Sequence, residues 1–477
     1  MVGRWARVCL SASLTNCPMQ NVALWFDKKF GLEEHTIAHY AWVIVAIAGV
    51  VQMVGAAIRM AFGVLIDPLV EAFGWTPGSI GLAYALMSIV TALASPMAGW
   101  LGNRFGARKT MMVGTVLFFI GMMWTSQTKE IWELYVAYGI VFGISQALLL
   151  VPVVPAVAAW FRRHLGLGTG IMMVSWSLGP ALVVQALAVL FATVGWSQAF
   201  MVVGVVGTAT LLLIMLFFRN TPEDAGKIAY GTKPNDNPLI TSGNVFVTTQ
   251  KEFQGFVYKT NAFWNLINIH FLGCVGHAVI LVGIIPLGIS KGLGPLTAAG
   301  VLTTISIISV STRFLAPVLS ERMSPKAVMF MSFFGQGVGV FLLLTADSTL
   351  DFYIFAVVWA IPYGGEGTAF PVLIRKYFGH TPMGTTYGWQ LLGAGLGMAL
   401  GGVIPGMVFD ITGTYTWAII LSAAFSLMGS LSIVLLENTR RQLIPNWPEM
   451  EEKPAEMSSS PAASAEPSPA AEDRSNG

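Results

Sequence analysis

The chain has 477 residues, of which 55% are hydrophobic and 10% are charged, and its formal net charge is +2 at pH 7. Soluble domains average roughly 25% charged residues. The composition therefore excludes an ordinary soluble domain and predicts a protein of the lipid bilayer, for which we expect no nucleic-acid partner.

Residues 1–40 contain two arginines but no apolar core long enough for a cleaved signal peptide. We interpret them as an N-terminal cytoplasmic segment. Cys9, Cys17 and Cys274 form an odd, sparse set whose spacing is typical of neither a disulfide framework nor a metal site. We therefore expect no bound metal and no other cofactor.

Apolar stretches of the roughly 20 residues needed to cross a hydrocarbon core recur about twelve times after this segment. We number them span 1 to span 12; they cover approximately residues 42–66, 79–101, 110–128, 134–157, 167–191, 197–218, 263–288, 296–318, 327–346, 352–374, 385–409 and 415–436. The sequence thus predicts an all-α polytopic membrane protein with twelve transmembrane helices.

The spans fall into two sets of six. Residues 41–218 form the predicted N-terminal half and residues 263–437 the C-terminal half. Residues 219–262 are polar and contain three prolines, so we interpret them as a cytoplasmic linker loop. Residues 438–477 become rich in Pro, Ala, Ser and Glu and are too poor in apolar residues to fold, which predicts a disordered cytoplasmic tail.

The basic residues indicate the orientation in the membrane. They concentrate in the turns after even-numbered spans and in the linker, whereas the other side carries little beyond Lys129 and Lys291. Short cytoplasmic loops carry such an excess of Lys and Arg. We therefore expect a multi-pass protein of the cell (cytoplasmic or inner) membrane with both termini cytoplasmic.

A basic turn occurs twice. The stretch 99-GWLGNRFGARK-109 follows span 2, and 317-PVLSERMSPK-326 follows span 8. Arg104 of the first turn aligns with Arg322 of the second, and we call their separation along the chain the repeat offset. A topology anchor alone would account for either turn. Repeated halves of the same orientation are also a hallmark of secondary transporters, whose solute site lies between the halves near the membrane midplane.

These features resemble the major facilitator superfamily of transporters over residues 40–437. The signature of that superfamily after its second helix, Gly-x-Leu-x-Asp-Arg-x-Gly-x-Arg-Lys, is matched at Gly99, Leu101, Arg104, Gly106, Arg108 and Lys109. The resemblance implies two pseudo-symmetric six-helix halves and a transporter rather than an enzyme.

Asn103 stands at the acidic position of the signature. In the superfamily this carboxylate helps to latch the halves together in the outward-open state. The resemblance therefore implies a conformational latch that is weaker here or is supplied by other residues. Glu321, beside Arg322, keeps an acid at the matching place in the second copy.

A finer resemblance is to the monocarboxylate and oxalate/formate branch, including its bacterial members. It rests on three segments, 55-GAAIRMAFGVLIDPLVEAFGW-75, 160-WFRRHLGLGTGIMMVSWSLG-179 and 364-GGEGTAFPVLIRKYFGHTPMGTTYG-388. This resemblance implies a small carboxylate as the substrate.

Two arginines lie inside predicted spans, Arg59 in span 1 and Arg313 in span 8. Such charges cost roughly 2.5–3.5 kcal/mol each on insertion scales, so they usually face a cavity or a partner. Gln52 shares a helical face with Arg59, and Ser309 with Arg313. Because a guanidinium matches a carboxylate with paired donors, we predict that these residues contact an organic anion. The alternatives are an interfacial Arg59 and an Arg313 paired with Glu366.

In the branch, an arginine on the eighth helix binds the substrate, and animal carriers place a proton-relaying aspartate one turn before it. Arg313 matches the arginine, but Ser309 replaces the aspartate. Glu366 of span 10 could supply the acid for proton coupling, or it could be a fixed counter-ion. Tyr363, three residues earlier, should share its face and is a candidate substrate contact.

His270 and His277 are seven residues apart on span 7 and share a helical face. Histidine titrates near physiological pH, which suits a proton carrier, although such residues also satisfy polar groups between helices. Gln146 on span 4 and Gln390 on span 11 are candidate cavity donors, with hydrogen bonding between helices as the alternative.

Glycines predict where helices approach closely. Gly393, Gly397 and Gly401 recur at every fourth residue of span 11, and Gly166, Gly168 and Gly170 lie at the start of span 5. Small residues at this spacing allow two helix backbones to come close together.

The sequence therefore predicts a monomeric secondary or facilitative transporter that moves a small mono- or dicarboxylate, with or without protons, by alternating access. Two alternatives stay open: proton-coupled efflux of amphipathic compounds, with Glu366 as the exchanging acid, and a non-transporting membrane sensor. The sequence has no phosphate-binding loop and no nucleophile-and-base pattern, so we do not expect transport driven by ATP.

Overall fold

The computed structural model describes residues 39–60, 62–233, 244–379, 382–439 and 441–444. The predicted N-terminal segment and C-terminal tail lie almost entirely outside these residues, as do Cys9 and Cys17. Cys274 is a buried free thiol.

Helices of the N-terminal half follow the predicted order. They are Tyr40–Met60 and Phe62–Phe73 in span 1, Pro77–Phe105 in span 2, Ala107–Ser126 in span 3, Ile131–Trp160 in span 4, Leu165–Val194 in span 5 and Trp196–Phe217 in span 6. Span 4 contains a π-helical stretch, Tyr135–Phe142.

Helices of the C-terminal half mirror this order. They are Asn261–Ser290 in span 7, Pro295–Arg322 in span 8, Pro325–Gly339 with a 3₁₀ turn at Val340–Leu344 in span 9, Thr349–Gly365 and Phe370–Phe378 in span 10, Gly384–Thr412 in span 11 and Thr416–Val434 in span 12. Nine helices within the described ranges are long and apolar enough to cross a membrane, and spans 3, 5 and 10 complete the twelve. The predicted fold class is confirmed.

Spans 4 and 10 begin with the same type of N-terminal capping motif. Glu130 and Glu133 form a capping box at the start of span 4, and Ser348 and Asp351 form one at the start of span 10. Capping boxes satisfy backbone N–H groups that the first helical turn leaves without partners. The two boxes are separated by the repeat offset, so the internal repeat extends beyond the basic turns.

The two halves touch through small residues on the side of the molecule that carries the linker, which we call the linker side. A Cβ atom at Gly99 of span 2 would collide with the carbonyl group of Gly384 of span 11. A Cβ atom at Gly166 of span 5 would collide with the carbonyl group of Pro317 of span 8. The repeat offset relates Gly99 to Pro317 and Gly166 to Gly384, so the two contacts are equivalent.

The close helix approach predicted at the glycines of span 11 is confirmed, and the partner, which the sequence did not identify, is span 7. The three glycines of span 11 at every fourth position lie against backbone carbonyl groups of span 7. In order, Gly393, Gly397 and Gly401 face the carbonyl groups of Ile267, Phe271 and Val275.

Span 10 is not the single helix that the sequence predicts. Its first helix ends at Gly365, and its second begins at Phe370. Gly367, between them, has a φ of 76°, a left-handed conformation that favours glycine. Glu366 therefore caps the first helix at the break, where the sequence placed it inside a continuous span.

The linker contains more structure than its polar composition indicates. A helix at Asn244–Tyr258 buries Phe253. Upstream of it, the backbone of Tyr230 pairs with the turn between spans 4 and 5, accepting from Arg162 N–H at 2.9 Å and donating to the Trp160 carbonyl at 2.8 Å. The first part of the linker is thus attached to the N-terminal half.

Replacing Gly99 by valine should lower the thermal stability of the protein, because the new side chain must displace the Gly384 backbone. Overpacking of this kind typically costs about 1–3 kcal/mol. Thermal unfolding in detergent measures the effect. Gly81→Val is the matched control, since the space around Gly81 on the same span is open. Equal melting temperatures for the two variants would contradict the contact.

Candidate functional site

A cavity of about 210 Å³ lies between the two halves. Eight spans contribute side chains to it. The polar and titratable ones are Gln52, Arg59, Ser88, Thr91, Ser95, Gln146, Trp176, His270, Cys274, His277, Arg313, Tyr363, Glu366, Thr368 and Tyr387. The structure thus brings most of the predicted substrate-binding and proton-coupling residues to one place.

Arg59 is fixed toward this cavity by two residues of span 2. Its Nε donates to the Tyr84 hydroxyl at 3.3 Å, and its Nη2 donates to Ser88 Oγ at 3.3 Å. In the part of the chain that the structure describes, neither of these bonds uses Nη1. Gln52, two turns earlier, lines the same cavity, as the shared helical face predicts. The contacts place Arg59 on the wall of the cavity.

Arg313 approaches the cavity from span 8 and is 9% exposed. Its guanidinium carbon lies 5.0 Å from the centroid of the Tyr363 ring, a cation–π contact. Among the described residues, its Nε has no hydrogen-bond acceptor. The alternative of an ion pair with Glu366 is not what the structure has, because that carboxylate pairs with His277.

Glu366 and His277 form a hydrogen-bonded pair on the wall of the cavity. Nδ1 of His277 lies 2.9 Å from Oε2 of Glu366, and Nε2 lies 3.0 Å from Sδ of Met398. A protonated imidazole donates from both nitrogens, and here each nitrogen faces an acceptor. A Cβ atom at Gly273 would collide with Oε1 of Glu366, so glycine at that position makes room for the carboxylate.

His270 lies on the same cavity but has different neighbours. Its ring stacks on Phe370, with ring centroids 4.4 Å apart, and the residue is 7% exposed. Within the described ranges its Nδ1 has no hydrogen-bond partner. The predicted shared face of His270 and His277 therefore brings both rings to the cavity, but His277 alone reaches Glu366 in the described contacts.

Two predicted substrate contacts lie behind the cavity wall. Ser309 is 1% exposed and donates to the Ser306 carbonyl at 2.8 Å. Gly364 has no side chain, so span 10 packs directly against the backbone of Ser309 and covers it. Gln390 is also 1% exposed and does not line the cavity.

Several buried polar atoms around the cavity lack a partner among the described residues. They are Oε1 of Gln52, both amide atoms of Gln146, Nε of Arg313 and Oε1 of Glu366. Buried polar atoms are nearly always paired with protein or with water. These atoms are therefore available to pair with water or with a bound polar solute.

The sequence analysis did not identify Tyr84, which accepts a hydrogen bond from Arg59. The internal repeat could, however, have indicated that other cavity residues belong together. The repeat offset relates Arg59 to His277 and Gln52 to His270. Extending the repeat from the basic turns into the spans would have placed these four residues at equivalent positions in the two halves.

Cys274, His277 and Glu366 are close enough together to be considered as metal ligands. One ligand atom of each lies within 4.8 Å of the other two. The imidazole and the carboxylate are already hydrogen-bonded to each other, and the thiol is buried. We interpret the group as a hydrogen-bonded pair beside a thiol.

The latch motif lies on the linker side, below the cavity. Oδ1 of Asn103 accepts from the Gly384 N–H at 3.0 Å, and its Nδ2 donates to Thr385 Oγ1 at 3.1 Å. Asn103 thus caps the start of span 11 from the opposite half. It bridges the halves itself, without a carboxylate.

Other residues of the motif shape the turn within the N-terminal half. The Arg104 guanidinium lies 5.5 Å from the Trp100 ring centroid, and Gly106 has a φ of 89°. The Arg108 N–H donates to Asn220 Oδ1 at 2.8 Å, which ties the turn to the chain after span 6.

Glu321 and Arg375 provide further contacts between the halves. A Cβ atom at Gly166 would lie 3.0 Å from Cγ of Glu321, so this carboxylate lies at the start of span 5, where a helix N-terminus favours negative charge. The Arg375 guanidinium donates to the carbonyl groups of Ala158 at 2.6 Å and Phe161 at 3.2 Å. The described conformation is therefore closed on the linker side.

Two six-span halves that touch on one side and enclose a charged cavity define a membrane transporter. The sequence matches the profile of the Major Facilitator Superfamily over residues 45–391 and 269–469, and the chain belongs to that superfamily. It is a multi-pass transporter and not an enzyme.

Relatives include carboxylate carriers. Human monocarboxylate transporter 11 is 24% identical over 407 residues, which are 82% of each chain. The oxalate:formate antiporter of Oxalobacter formigenes is 23% identical over 382 residues, 75% of this chain and 84% of that protein. The proposed resemblance to this branch is confirmed at the level of sequence similarity.

Solved structures share the fold. The proton:xylose symporter XylE superimposes with a TM-score of 0.67 at 15% identity, covering 82% of this chain and 94% of that one. FucP in the outward conformation gives a TM-score of 0.65 at 14% identity, covering 84% of this chain and 100% of that one.

Replacing Asn103 by alanine should reduce the population that is closed on the linker side, because two hydrogen bonds between the halves are lost. Each is worth about 0.5–1.5 kcal/mol. Spin labels at the exposed positions Phe105 and Met323 would report the distance between the halves in a double electron–electron resonance measurement. Asn103→Asp keeps the acceptor for the Gly384 N–H and should restore part of the closed population. An unchanged distance distribution in Asn103→Ala would mean that the turn is a topology anchor alone.

Proposed function

We propose that this protein carries a small organic anion, a mono- or dicarboxylate, across the cell membrane by alternating access. The observation that carries the proposal is that Arg59 of the N-terminal half and Arg313 of the C-terminal half face one cavity. Of the described residues that line it, Glu366 is the one carboxylate, and His277 is already hydrogen-bonded to it. The cavity therefore favours an anion.

The two arginines have donors to offer. Arg313 has a buried Nε without an acceptor in the described part of the chain, and Arg59 has Nη1 in addition to its two bonds to span 2. Guanidinium groups bind carboxylates through paired donors. One of these arginines belongs to each half. Binding of a carboxylate to both arginines would therefore depend on the distance between the halves.

The size of the cavity favours a small solute over an amphipathic one. Sites for drug-sized ligands have volumes of roughly 300–1,000 Å³. The cavity here has about 210 Å³. The relatives named as monocarboxylate and oxalate:formate carriers support the same substrate class. Efflux of amphipathic compounds and ligand sensing lack comparable support.

We further propose that the Glu366 and His277 pair couples transport to protons. Ser309 stands where the animal carriers have a proton-relaying aspartate, and the pair would take over the role of that aspartate. The pair lies beside Tyr363, whose ring contacts both His277 and Arg313. A proton held by the pair would change the charge next to the anion site.

In the orientation that we propose, with both termini cytoplasmic, the described conformation is closed toward the cytoplasm.

Replacing Arg313 by glutamine should weaken carboxylate uptake into proteoliposomes about ten- to a hundredfold in kcat/KM, because a charged hydrogen bond of about 1.5–3 kcal/mol is lost. A panel of labelled short mono- and dicarboxylates, tested beside lipophilic cations, identifies the substrate. Arg313→Lys keeps the charge but not the paired donors and should be intermediate.

Arg219→Gln is the matched control, because Arg219 lies at the end of span 6 and bonds to local carbonyl groups instead of the cavity. A flux of lipophilic cations that is the same in the wild type and in Arg313→Gln would favour the efflux function. Saturable binding without any flux would favour a sensor.

Replacing Glu366 by glutamine should abolish the response of carboxylate uptake to a pH gradient while anion exchange at equal pH continues, because the proton acceptor is removed but the arginines remain. Glu252→Gln, on the exposed face of the linker helix, is the control. Loss of exchange as well as uptake would identify the pair as a fixed structural charge pair instead.

A further inference from the structure

The backbone of span 1 is bonded to span 4 directly before Arg59. The hydroxyl of Tyr138 donates to the Ile58 carbonyl at 3.4 Å. Tyr138 is 1% exposed and is not among the described residues that line the cavity. Its ring packs on Phe62, with ring centroids 4.7 Å apart. One side chain of span 4 thus contacts span 1 on both sides of Arg59. Tyr138 belongs to the π-helical stretch Tyr135–Phe142, and such stretches are frequent at functional sites.

The equivalent backbone of span 7 is bonded to span 12 directly before His277. The repeat offset relates Ile58 to Gly276, whose carbonyl accepts from the Ser422 hydroxyl at 2.7 Å. Ser422 is 1% exposed and is also not among the described residues that line the cavity. A Cβ atom at Gly276 would collide with Oγ of Ser426, so a residue without a side chain lets span 12 come close.

The repeat relates the two acceptors but not the two donors. The positions equivalent to Tyr138 and Ser422 are occupied by Ala356 and Gly204, neither of which has a hydroxyl. Span 4 and span 12 therefore reach the same backbone position from different sides. What the two hydrogen bonds have in common is the peptide unit that they hold, and each of these units leads into a cavity residue.

A hydrogen bond to that peptide unit restricts the residue that follows it. Because a peptide unit is planar, the carbonyl group of Ile58 and the Cα atom of Arg59 lie in one rigid plane. The same holds for the carbonyl group of Gly276 and the Cα atom of His277. A carbonyl oxygen has two lone pairs, so it can accept from a hydroxyl of another span in addition to a backbone N–H group.

We propose that Tyr138 and Ser422 are positioning residues, which fix Arg59 and His277 at the cavity through the carbonyl group of the preceding residue. Tyr138 then acts on the affinity for the anion, since Arg59 is a proposed anion contact. Ser422 acts on proton coupling, since His277 is bonded to Glu366. These two effects rest on the proposed function, whereas the positioning itself does not.

The effect of Ser422 passes through the backbone of span 7. The other titratable and charged groups around His277 come from spans 7, 8 and 10; they are His270, Cys274, Arg313, Tyr363 and Glu366. In the hydrogen bonds of the described residues, Ser422 contacts none of these groups and donates to the Gly276 carbonyl.

Nuclear magnetic resonance of the full-length protein in detergent tests the positioning without any transport measurement. The Nε–H signal of Arg59 is identified by its loss in Arg59→Lys, and the ring signal of His277 by its loss in His277→Gln. Tyr138→Phe should shift the Arg59 signal but not the His277 signal. Ser422→Ala should shift the His277 signal but not the Arg59 signal.

Two matched controls lose the same kind of hydrogen bond elsewhere. Tyr135→Phe removes a bond from the same π-helical stretch to the Ser79 carbonyl, 3.0 Å away. Ser145→Ala removes the bond of a buried serine to the Gly114 carbonyl on a neighbouring span, 2.8 Å away. Neither control should shift either signal. Melting temperatures verify that all four hydroxyl variants are folded.

Uptake into proteoliposomes separates the two roles. Tyr138→Phe should raise the KM for the carboxylate about two- to tenfold with kcat unchanged, the range that one ordinary hydrogen bond supplies, because the lost contact supports substrate binding. Ser422→Ala should leave this KM unchanged at equal pH on both sides and should reduce the stimulation of uptake by a pH gradient.

Signals of Arg59 and His277 that stay in place, or that shift as far in the control variants, would overturn the proposal. Equal effects of Tyr138→Phe and Ser422→Ala on KM and on the gradient response would also overturn it. Shifted signals in a protein that carries no carboxylate would refute the proposed function and support the positioning.

Discussion

Direct backbone contact between the halves, at Gly99 with Gly384 and at Gly166 with Pro317, determines the geometry of the linker side. Asn103 has a short side chain, and its amide reaches both Gly384 and Thr385 because span 11 lies so near span 2. A larger side chain at Gly99 would remove that proximity, and the bonds of Asn103 to span 11 would be lost with it. The closure below the cavity therefore depends on glycines: Gly99 and Gly384 at one contact and Gly166 at the other.

Equivalent positions in the two halves serve packing in the same way but carry different chemistry. The glycine contacts and the capping boxes correspond at the repeat offset. In the cavity, the same offset relates Arg59 to His277 and Ser95 to Arg313. The two arginines are therefore not related by the repeat. As a result, the two ends of a bound solute would meet different side chains in the cavity.

Hydropathy and the cost of a charge in a bilayer were sufficient to predict the twelve spans and to place Arg59 and Arg313 at a common cavity. The position of Ser309 could not be predicted, because its exclusion depends on how near span 10 comes at Gly364. The break in span 10 was missed because glycines at that point are also compatible with a continuous helix. The contact of Arg375, one of the basic residues after the predicted span 10, could not be predicted, since only the folded chain shows that it reaches carbonyl groups at the end of span 4.

The repeat also has a consequence for how such a protein can evolve. Duplication of a six-span ancestor would yield both interfacial glycine contacts at once, because each contact joins a position in one copy to a different position in the other. Afterwards, the lining of the cavity can diverge in one copy while the interface stays intact. Substitutions at the cavity positions Arg59 of span 1 or Arg313 of span 8 would leave the glycine contacts where the halves meet unchanged.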